Sequence, residues 1–339
     1  MKFGIFLGVQ ISPEESLARQ IDDSVAQVRA ARDAGFDLIC TGQHFLSAPY
    51  AQPATLPFLA RMAADAGDME IAAAVILVPL HNPVDIAENV ATMDAICNGR
   101  FIFGVGLGYR DEEFAAFGIK SNERVGRLRE SLELMKLLWT EDEVEYDGKY
   151  YRLPKVRPVT RPTRKPHPPI WVAANNDVAI RRAARWGNPW FINPHATMST
   201  IDRQIAVYNA ELDRVGKTAP DAMPMFREMY VAEDRATAIA ESRPYLESKY
   251  AAYASWGQDK ALPGEESFRV PFEDLARDRF LIGSPSDIVD EIRRYESELG
   301  ANYIIFRMQW PGLPQDRVLR QLTLLREHEN HYVNQSFYK

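Results

Sequence analysis

Short apolar segments alternate with longer helical segments along the whole chain. The stretch from Glu70 to Val78 is apolar at almost every position, which is typical of a strand buried on both faces of a parallel sheet. Repeated strand–helix units predict a parallel sheet covered by helices, and eight of them predict closure into a (β/α)8 TIM barrel. The eight predicted strands are Lys2–Val9, Asp37–Thr41, Glu70–Val78, Phe101–Leu107, Pro169–Ala173, Trp190–Ile192, Pro224–Val231 and Tyr303–Met308.

An open, doubly wound sheet is the competing architecture. It predicts a G-x-G-x-x-G fingerprint after an early strand, whereas the glycines at 104, 106 and 108 are spaced G-x-G-x-G. The barrel is therefore favoured. The 339 residues exceed a barrel of about 250 residues, so we predict one domain over 1–339 with loop insertions at about 140–168, after strand four, and 255–280, after strand seven. Within the first insertion, an Asp-Gly turn between Tyr146 and Tyr150 predicts a small hairpin.

The composition excludes several classes of function. The formal net charge is -7 and Lys and Arg form no long block, so a nucleic-acid interface is not expected. The most apolar segment, Ile71 to Leu80, is shorter than the roughly 20 residues that span a bilayer, and the N-terminus lacks a signal-peptide pattern. The histidines show no metal-binding spacing. Cys40 and Cys97 lie in apolar segments and predict buried free thiols, as expected of a cytoplasmic protein.

Functional residues of a TIM barrel are expected at the carboxyl ends of its strands. His44 follows the second strand among polar neighbours, and an imidazole exchanges protons near neutral pH. We predict His44 as an acid–base catalyst, with a backbone cap of the strand end as the alternative role. Ala174, Asn175 and Asn176 follow the fifth strand and open a helix. The free N–H groups of a helix start favour a phosphate, although ordinary helix capping gives the same pattern.

The glycines at 104, 106 and 108 remove side chains from the fourth strand where the barrel is predicted to open. A planar ligand could lie against such a surface. Close packing of this backbone against a neighbouring helix is the alternative explanation.

An ordered set of motifs makes the chain resemble the bacterial luciferase-like flavin monooxygenase family, which also includes deazaflavin (F420)-dependent reductases. No single motif is decisive, but the set covers nearly the whole chain. The motifs are MKFGIFL at 1–7, Gln43-His44-Phe45, VPLHNPV at 78–84, the segment 98–118, PIWVAA at 169–174 and Ile282-Gly283-Ser284-Pro285.

This resemblance implies a barrel that binds reduced FMN and uses O2 to oxidise a small organic substrate. It also implies a separate NAD(P)H:flavin reductase and a homodimer assembled through the helices after strands two and three. His44 matches the family's active-site histidine. The implied cofactor contacts are Ala74 and Val75, joined by a cis peptide bond, together with Gly106, Tyr109, Ala174, Asn175, Asn176 and Val178.

Two departures from the family pattern argue against light emission from long-chain aldehydes. Gly106 stands where luciferases often carry a reactive cysteine, and Gln43 stands where they carry an acidic residue. Two other functions stay open: an F420-dependent oxidoreductase that moves hydride without oxygen, and a flavin-binding protein without catalysis. Only Arg181 and Arg182 could hold the longer anionic tail of F420, so FMN is favoured.

The substrate is the least constrained part of the prediction. Phe6, Gly8, Gln43 and Trp310 are the predicted substrate-facing residues, and the second insertion adds to their wall. Arg227 and Arg307, on strands seven and eight, could hold an anionic group or form a buried ion pair.

Overall fold

Eight parallel strands close into a barrel in the computed structural model, which describes residues 1–12, 14–257 and 267–329. The barrel order is β9-β11-β1-β2-β3-β4-β7-β8, and a pairing of Ile192 with Met225 joins β8 to β9. The predicted (β/α)8 TIM barrel is thereby confirmed. The strands are β1 Lys2–Phe6, β2 Leu38–Thr41, β3 Glu70–Leu77, β4 Phe101–Gly106, β5 Val144–Asp147, β6 Arg152–Val156, β7 Ile170–Ala174, β8 Trp190–Ile192, β9 Pro224–Val231, β10 Phe280–Gly283 and β11 Tyr303–Arg307.

Helices follow the barrel strands and cover their outer faces. The long ones begin where the sequence supplies a cap: the side chain of Asn82 accepts the Val84 N–H, and that of Asn176 accepts the Ala179 N–H. Among the described residues, no helix is long and apolar enough to cross a membrane. The helices are α1 Leu17–Asp33, α2 Thr55–Ala63, α3 Pro83–Ile96, α4 Asp111–Ala116, α5 Arg124–Thr140, α6 Asp177–Trp186, α7 Met198–Val215, α8 Arg235–Ser255, α9 Phe272–Ala276, α10 Pro285–Leu299 and α11 Gln315–Glu329.

Alternate residues of each strand face two separate cores, as the period of two in a strand requires. Ile5 packs in the layer between strands and helices, whereas Phe6 belongs to the cluster that fills the barrel interior. Cys40 lies in the interior and Cys97 outside it; both are free and buried, as predicted. The interior cluster also contains Leu38, Ala72, Ala74, Ile102, Trp171, Phe191, Phe226, Tyr303 and Ile305.

The first insertion contains the predicted hairpin. Strands β5 and β6 pair antiparallel, and the N–H of Gly148 donates to the carbonyl of Tyr151 at 2.9 Å. Glu130 of α5 accepts N–H bonds from Lys149 and Tyr150, so the hairpin is fixed to the barrel by a buried carboxylate.

The second insertion contains a strand that the sequence analysis did not predict. Residues 258–266 of it lie outside the described part of the chain. Strand β10 pairs in parallel with the last four residues of β9, from Glu228 to Val231. Strand β9 has eight residues whereas β8 has three, so β9 extends beyond its neighbour and offers a free edge. That difference in length was the available signal for an added strand.

Candidate active site

A cavity of about 310 Å³ opens at the carboxyl ends of the barrel strands. Residues from all eight barrel strands or the loops after them line it, together with Lys249 and Tyr253 of α8. The structure therefore brings together most of the predicted site. The ten predicted residues that line the cavity are Phe6, Gln43, His44, Ala74, Val75, Gly106, Tyr109, Ala174, Asn175 and Asn176.

Three predicted site residues lie outside the cavity wall. Trp310 is buried behind it and donates its indole N–H to Glu228 at 2.7 Å. Val178 is 61% exposed on the outer side of α6. Gly8 lies against Gln309, whose carbonyl oxygen would be 3.0 Å from a Cβ at this position. Trp310 and Val178 lie in the loop or helix after their strand, where their side chains turn away from the barrel opening.

One side of the cavity is formed by Gly42, Ala74, Val75 and Gly106, which we call the small-residue wall. The pairing of β3 with β4 shifts register between Ala73 and Ile76, so residues 74 and 75 bulge from the sheet. The peptide bond between Ala74 and Val75 is cis, as predicted.

The glycines of β4 make room for this bulge. A Cβ at Gly104 would collide with the carbonyl oxygen of Ala73, and a Cβ at Gly106 would lie 2.6 Å from Cγ2 of Val75. The close approach is therefore to the neighbouring strand β3, not to a helix. Gly106 also lines the cavity, so the same glycine leaves an open surface on the ligand side.

His44 forms a hydrogen-bonded pair with a buried carboxylate. Its Nδ1–H donates to Oε1 of Glu113 at 3.0 Å, and the N–H of Phe45 donates to the same oxygen at 2.9 Å. Glu113 lies on α4, is fully buried, and has a second oxygen with no partner within the described residues. Because Nδ1 is engaged, Nε2 is the ring nitrogen left for a ligand in the cavity.

The side chain of Gln43 binds the end of the neighbouring strand, β3. Its side-chain oxygen accepts the N–H of Leu77 at 3.0 Å and the Nε2–H of His81 at 3.0 Å. Burial lowers the pKa of His81, which keeps its imidazole neutral. Gln43 thus ties the loop after β2 to the end of β3 while it lines the cavity.

The start of α6 and Arg124 form one end of the cavity, which we call the α6 end, and Arg182 lies near Arg124. Asn176 caps the helix, and the N–H groups of the first turn have no intrahelical partners. Arg124 lines this end of the cavity. Burial lowers the pKa of Arg182, as do the nearby cations Arg185 and Arg124. A helix start with clustered guanidinium groups attracts an anion.

The opposite side of the cavity carries buried charges. We call the residues Gln10, Lys249, Tyr253 and Arg307 the basic wall. Lys249 and Arg307 are 4% and 5% exposed, respectively. Lys249 pairs with Glu228, a fully buried carboxylate behind the wall. Burial and, to a lesser extent, the charge of Arg307 lower the pKa of Lys249 to about 7, although Glu228 acts in the opposite direction.

The two arginines singled out in the sequence have different positions. Arg307 ends β11 and lines the cavity. Arg227 is fully buried outside the cavity wall, where its guanidinium lies 5.3 Å from the ring centroid of Tyr295 and donates to the carbonyl of Asn193. Within the described residues, neither arginine forms an ion pair.

The sequence analysis missed Glu113 and Lys249. Glu113 occupies an ordinary acidic helix start, Asp111-Glu112-Glu113, and only its burial distinguishes it from its neighbours. Lys249 lies in the middle of α8, and nothing in its local sequence shows that it faces the barrel opening. Both contacts join residues far apart in the chain.

Comparison with known proteins identifies the family. The sequence model of the family described as luciferase-like monooxygenase matches residues 1–302. The chain belongs to this family. Named relatives are oxidoreductases, both flavin monooxygenases and F420-dependent enzymes, so the chain is an enzyme of the luciferase-like family.

Relatives of both kinds align over most of the chain. The F420-dependent glucose-6-phosphate dehydrogenase of Segniliparus rotundus is 29% identical over 332 residues, covering 94% of this chain and 96% of its own. The oxygenase component of the flavin-dependent trigonelline monooxygenase of Acinetobacter baylyi is 24% identical over 315 residues, covering 88% and 86%. The monooxygenase RslO1 from Streptomyces bottropensis superposes with a TM-score of 0.86 at 25% identity, covering 99% of this chain and all (100%) of the other.

The cavity fits the flavin or deazaflavin cofactor of such relatives. The small-residue wall is a cradle that larger side chains would fill: a Cβ at Gly42 would lie 3.1 Å from the carbonyl oxygen of Ala74. The α6 end supplies backbone N–H groups and Arg124 for a phosphate.

Proposed function

We propose that this enzyme is the oxygenase component of a two-component monooxygenase that acts on a small organic substrate. A separate NAD(P)H:flavin reductase supplies its reduced FMN. When bound, reduced FMN supplies two electrons and two protons, so that one atom of O2 enters the substrate and the other leaves as water.

The observation that carries the proposal is the His44–Glu113 pair at the edge of the small-residue wall. The carboxylate fixes the imidazole orientation and the Nδ1 proton. Nε2 is thereby held toward the cavity, where it can accept or return a proton. Tyr109 packs edge-on against His44 with ring centroids 5.7 Å apart, and burial raises the pKa of Tyr109, so its hydroxyl stays protonated.

The α6 end favours FMN as the cofactor. Asn175, Asn176 and Arg124 line it and suit a single terminal phosphate. Farther out, Arg203 is paired with Asp177 at 2.8 Å and Arg185 with Glu211 at 2.7 Å. Because carboxylates neutralise these two cations, Arg181 and Arg182 are the residues left to attract the longer anionic tail of F420. The 25% identity and TM-score of 0.86 with the monooxygenase RslO1 support the assignment as a monooxygenase.

The second candidate is an F420-dependent oxidoreductase. Its support is the 29% identity with the F420-dependent glucose-6-phosphate dehydrogenase. His44 would then take the hydroxyl proton of an alcohol substrate while hydride moves between substrate and cofactor, and O2 would play no part.

Cofactor titrations separate the two candidates. The purified protein is mixed anaerobically with reduced FMN or reduced F420, then exposed to O2 while absorbance is followed. We expect binding of reduced FMN and an altered rate of its reoxidation. Tight binding of F420 without binding of FMN would overturn the monooxygenase proposal.

The phosphate contact has its own test. Arg124→Gln removes one charged donor at the α6 end, so the affinity for FMN should fall about tenfold. Riboflavin lacks the phosphate and serves as the matched control, because its affinity should not change. An equal loss for both ligands would place Arg124 elsewhere in the site.

The proposal includes a cytoplasmic homodimer assembled through α2 and α3, the helices after β2 and β3. Its support is the family resemblance. Size-exclusion chromatography with light scattering measures the mass directly, and a monomer near 38.5 kDa would contradict the dimer.

A further inference from the structure

The basic wall has more positive charge than the protein neutralises. It presents two cations to the cavity, Lys249 and Arg307, and the single carboxylate of Glu228 stands behind them. Glu228 is already shared between Lys249 and the indole N–H of Trp310. The guanidinium of Arg307, which stays charged whether or not Lys249 holds its proton, is left without a carboxylate partner at a buried surface, where unpaired charge is costly.

Arg307 carries that unpaired charge. No carboxylate oxygen of the described residues lies within 4.0 Å of its guanidinium. Its three hydrogen bonds go to neutral oxygens: the side chain of Gln10 at 3.1 Å, the hydroxyl of Tyr253 at 3.2 Å and the carbonyl of Gln309 at 3.3 Å. A guanidinium has five N–H groups, so two are left for a partner in the cavity.

The surroundings of Arg307 define the shape of that partner. The guanidinium carbon lies 5.1 Å from the ring centroid of Phe6, which stacks on Phe226 at 4.6 Å between centroids. All three side chains line the cavity. A ligand anchored on Arg307 therefore lies beside aromatic side chains, which suit a flat or apolar group.

The cofactor phosphate does not account for this charge. In the barrel order, β1 is four strands from β7 in either direction, and β11 is three strands from β7 through β8 and β9. The α6 end, which follows β7, thus lies across the barrel opening from Phe6 and Arg307. The two cationic groups serve different anions.

We propose that Arg307, supported by Lys249, binds a carboxylate of the substrate, so that the enzyme oxidises a small organic acid whose body lies beside Phe6. The two N–H groups that Arg307 has left match the two oxygens of one carboxylate. Burial lowers the pKa of His195 most, and four nearby cations lower it as well: Lys249, Arg307, Arg227 and Arg279. Their effect agrees with a positive electrostatic potential in this part of the cavity. The proposal rests on the proposed function, because it deepens the assignment of the same cavity.

Ligand titrations of the FMN-loaded protein test the inference. The probes are benzoate, its neutral isostere benzamide, and phenyl phosphate, and the readout is the change in flavin absorbance. We expect benzoate to bind and benzamide to bind at least about tenfold more weakly. Equal binding of both, or no binding of benzoate to protein that holds FMN, would overturn the proposal. Phenyl phosphate that binds more than tenfold tighter than benzoate would overturn the choice of a carboxylate.

Two variants assign the effect to Arg307. Arg307→Met should weaken benzoate binding about 10- to 100-fold and leave FMN affinity unchanged. Gln10→Glu conserves side-chain size and places a carboxylate where Gln10 now accepts from Arg307, so it should abolish benzoate binding without leaving a void. Circular dichroism and thermal unfolding show whether each variant is folded. A variant that loses FMN affinity as much as benzoate affinity would place Arg307 in the cofactor site and end the proposal.

Failure of the proposed function is recognised separately. If reduced FMN does not bind the wild-type protein, the monooxygenase assignment fails. The benzoate and benzamide titrations are then repeated by calorimetry on the protein alone. A preference for benzoate that Gln10→Glu removes supports the anion site, and equal binding overturns it.

Discussion

The small-residue wall is built from backbone, whereas the basic wall is built from side chains. In the first, the bulge at residues 74–75 of β3 and the glycines of β4 fit each other closely, and no charge is involved. In the second, long side chains from the β1 loop, α8 and β11 meet over the barrel interior. A backbone surface fixes the shape of the site for a cofactor that relatives share. The side chains of the basic wall, in contrast, can change from one enzyme to another without altering the barrel. We infer that substrate choice is concentrated in the basic wall.

The two walls also differ in how the protein stabilises them. The small-residue wall depends on close packing, in which even one methyl group is felt. The basic wall depends on compensation of buried charge, in which removal of one partner leaves the other unpaired. Substitutions in the small-residue wall should therefore act through lost packing, and substitutions in the basic wall through unpaired charge. The two effects can be measured separately.

The largest effect is expected at His44, between the two walls. His44→Ala should reduce turnover about 10²- to 10⁴-fold, the range for loss of a general acid–base group, while FMN affinity stays near that of the wild type. Turnover is measured as O2 consumption coupled to a flavin reductase and substrate. Added imidazole should restore part of it if the ring acts in proton transfer.

Variants of a second histidine, His81, and of the carboxylate partner of His44, Glu113, serve as comparisons for this result. His81→Ala removes an imidazole whose one hydrogen bond to a described residue is to Gln43, so it should lower turnover far less. Glu113→Gln keeps an oxygen acceptor for Nδ1 of His44 but removes the charge, so its loss should lie between those of the two histidine variants. Unchanged turnover in His44→Ala would remove His44 from the catalytic role.

Packing of the small-residue wall predicts the next largest effect. Gly104→Ala places a Cβ against the carbonyl oxygen of Ala73, which is backbone and cannot move alone, so the free energy of unfolding should fall by about 1–3 kcal/mol or more. Gly106→Ala meets only a methyl group of Val75 and should cost less. Urea denaturation of both variants measures the difference. Equal losses of unfolding free energy in the two variants would mean that the whole of β3 shifts to make room and that the small-residue wall is not rigid.

The sequence predicted the small-residue side better than the basic side, and the reason is physical. His44, Gly106 and the Ala174-Asn175-Asn176 turn stand at or shortly after the carboxyl ends of barrel strands, where the fold alone directs residues toward the opening. The bulge of β3 was expected from resemblance, because no pattern in its apolar run marks residues 74 and 75. The register shift that explains the glycines could be seen only once β3 and β4 were paired.

Residues of the basic side depend on long-range packing. Lys249 reaches the cavity only because α8 crosses the barrel opening, and Glu113 is buried only because the loop after β2 folds over it. Trp310 was placed in the wall from its position after β11, but a buried carboxylate, Glu228, holds it behind the wall. Periodicity predicts which residues are apolar, and it does not show which charged residues will meet in space.

The remaining expected effect is a pH dependence of stability that belongs to the basic wall. Because the folded pKa of Lys249 is lowered from 10.5 to about 7, the folded protein releases this proton above pH 7 while the unfolded chain retains it. The free energy of unfolding should therefore rise with pH by up to about 1.4 kcal/mol per unit between roughly pH 7 and 10. The double variant Glu228→Gln/Lys249→Met should lack this slope in urea denaturation, whereas Gly106→Ala, in the other wall, should keep it. Parallel curves for the wild type and the double variant would show that Lys249 stays charged and that the two walls do not differ in this respect.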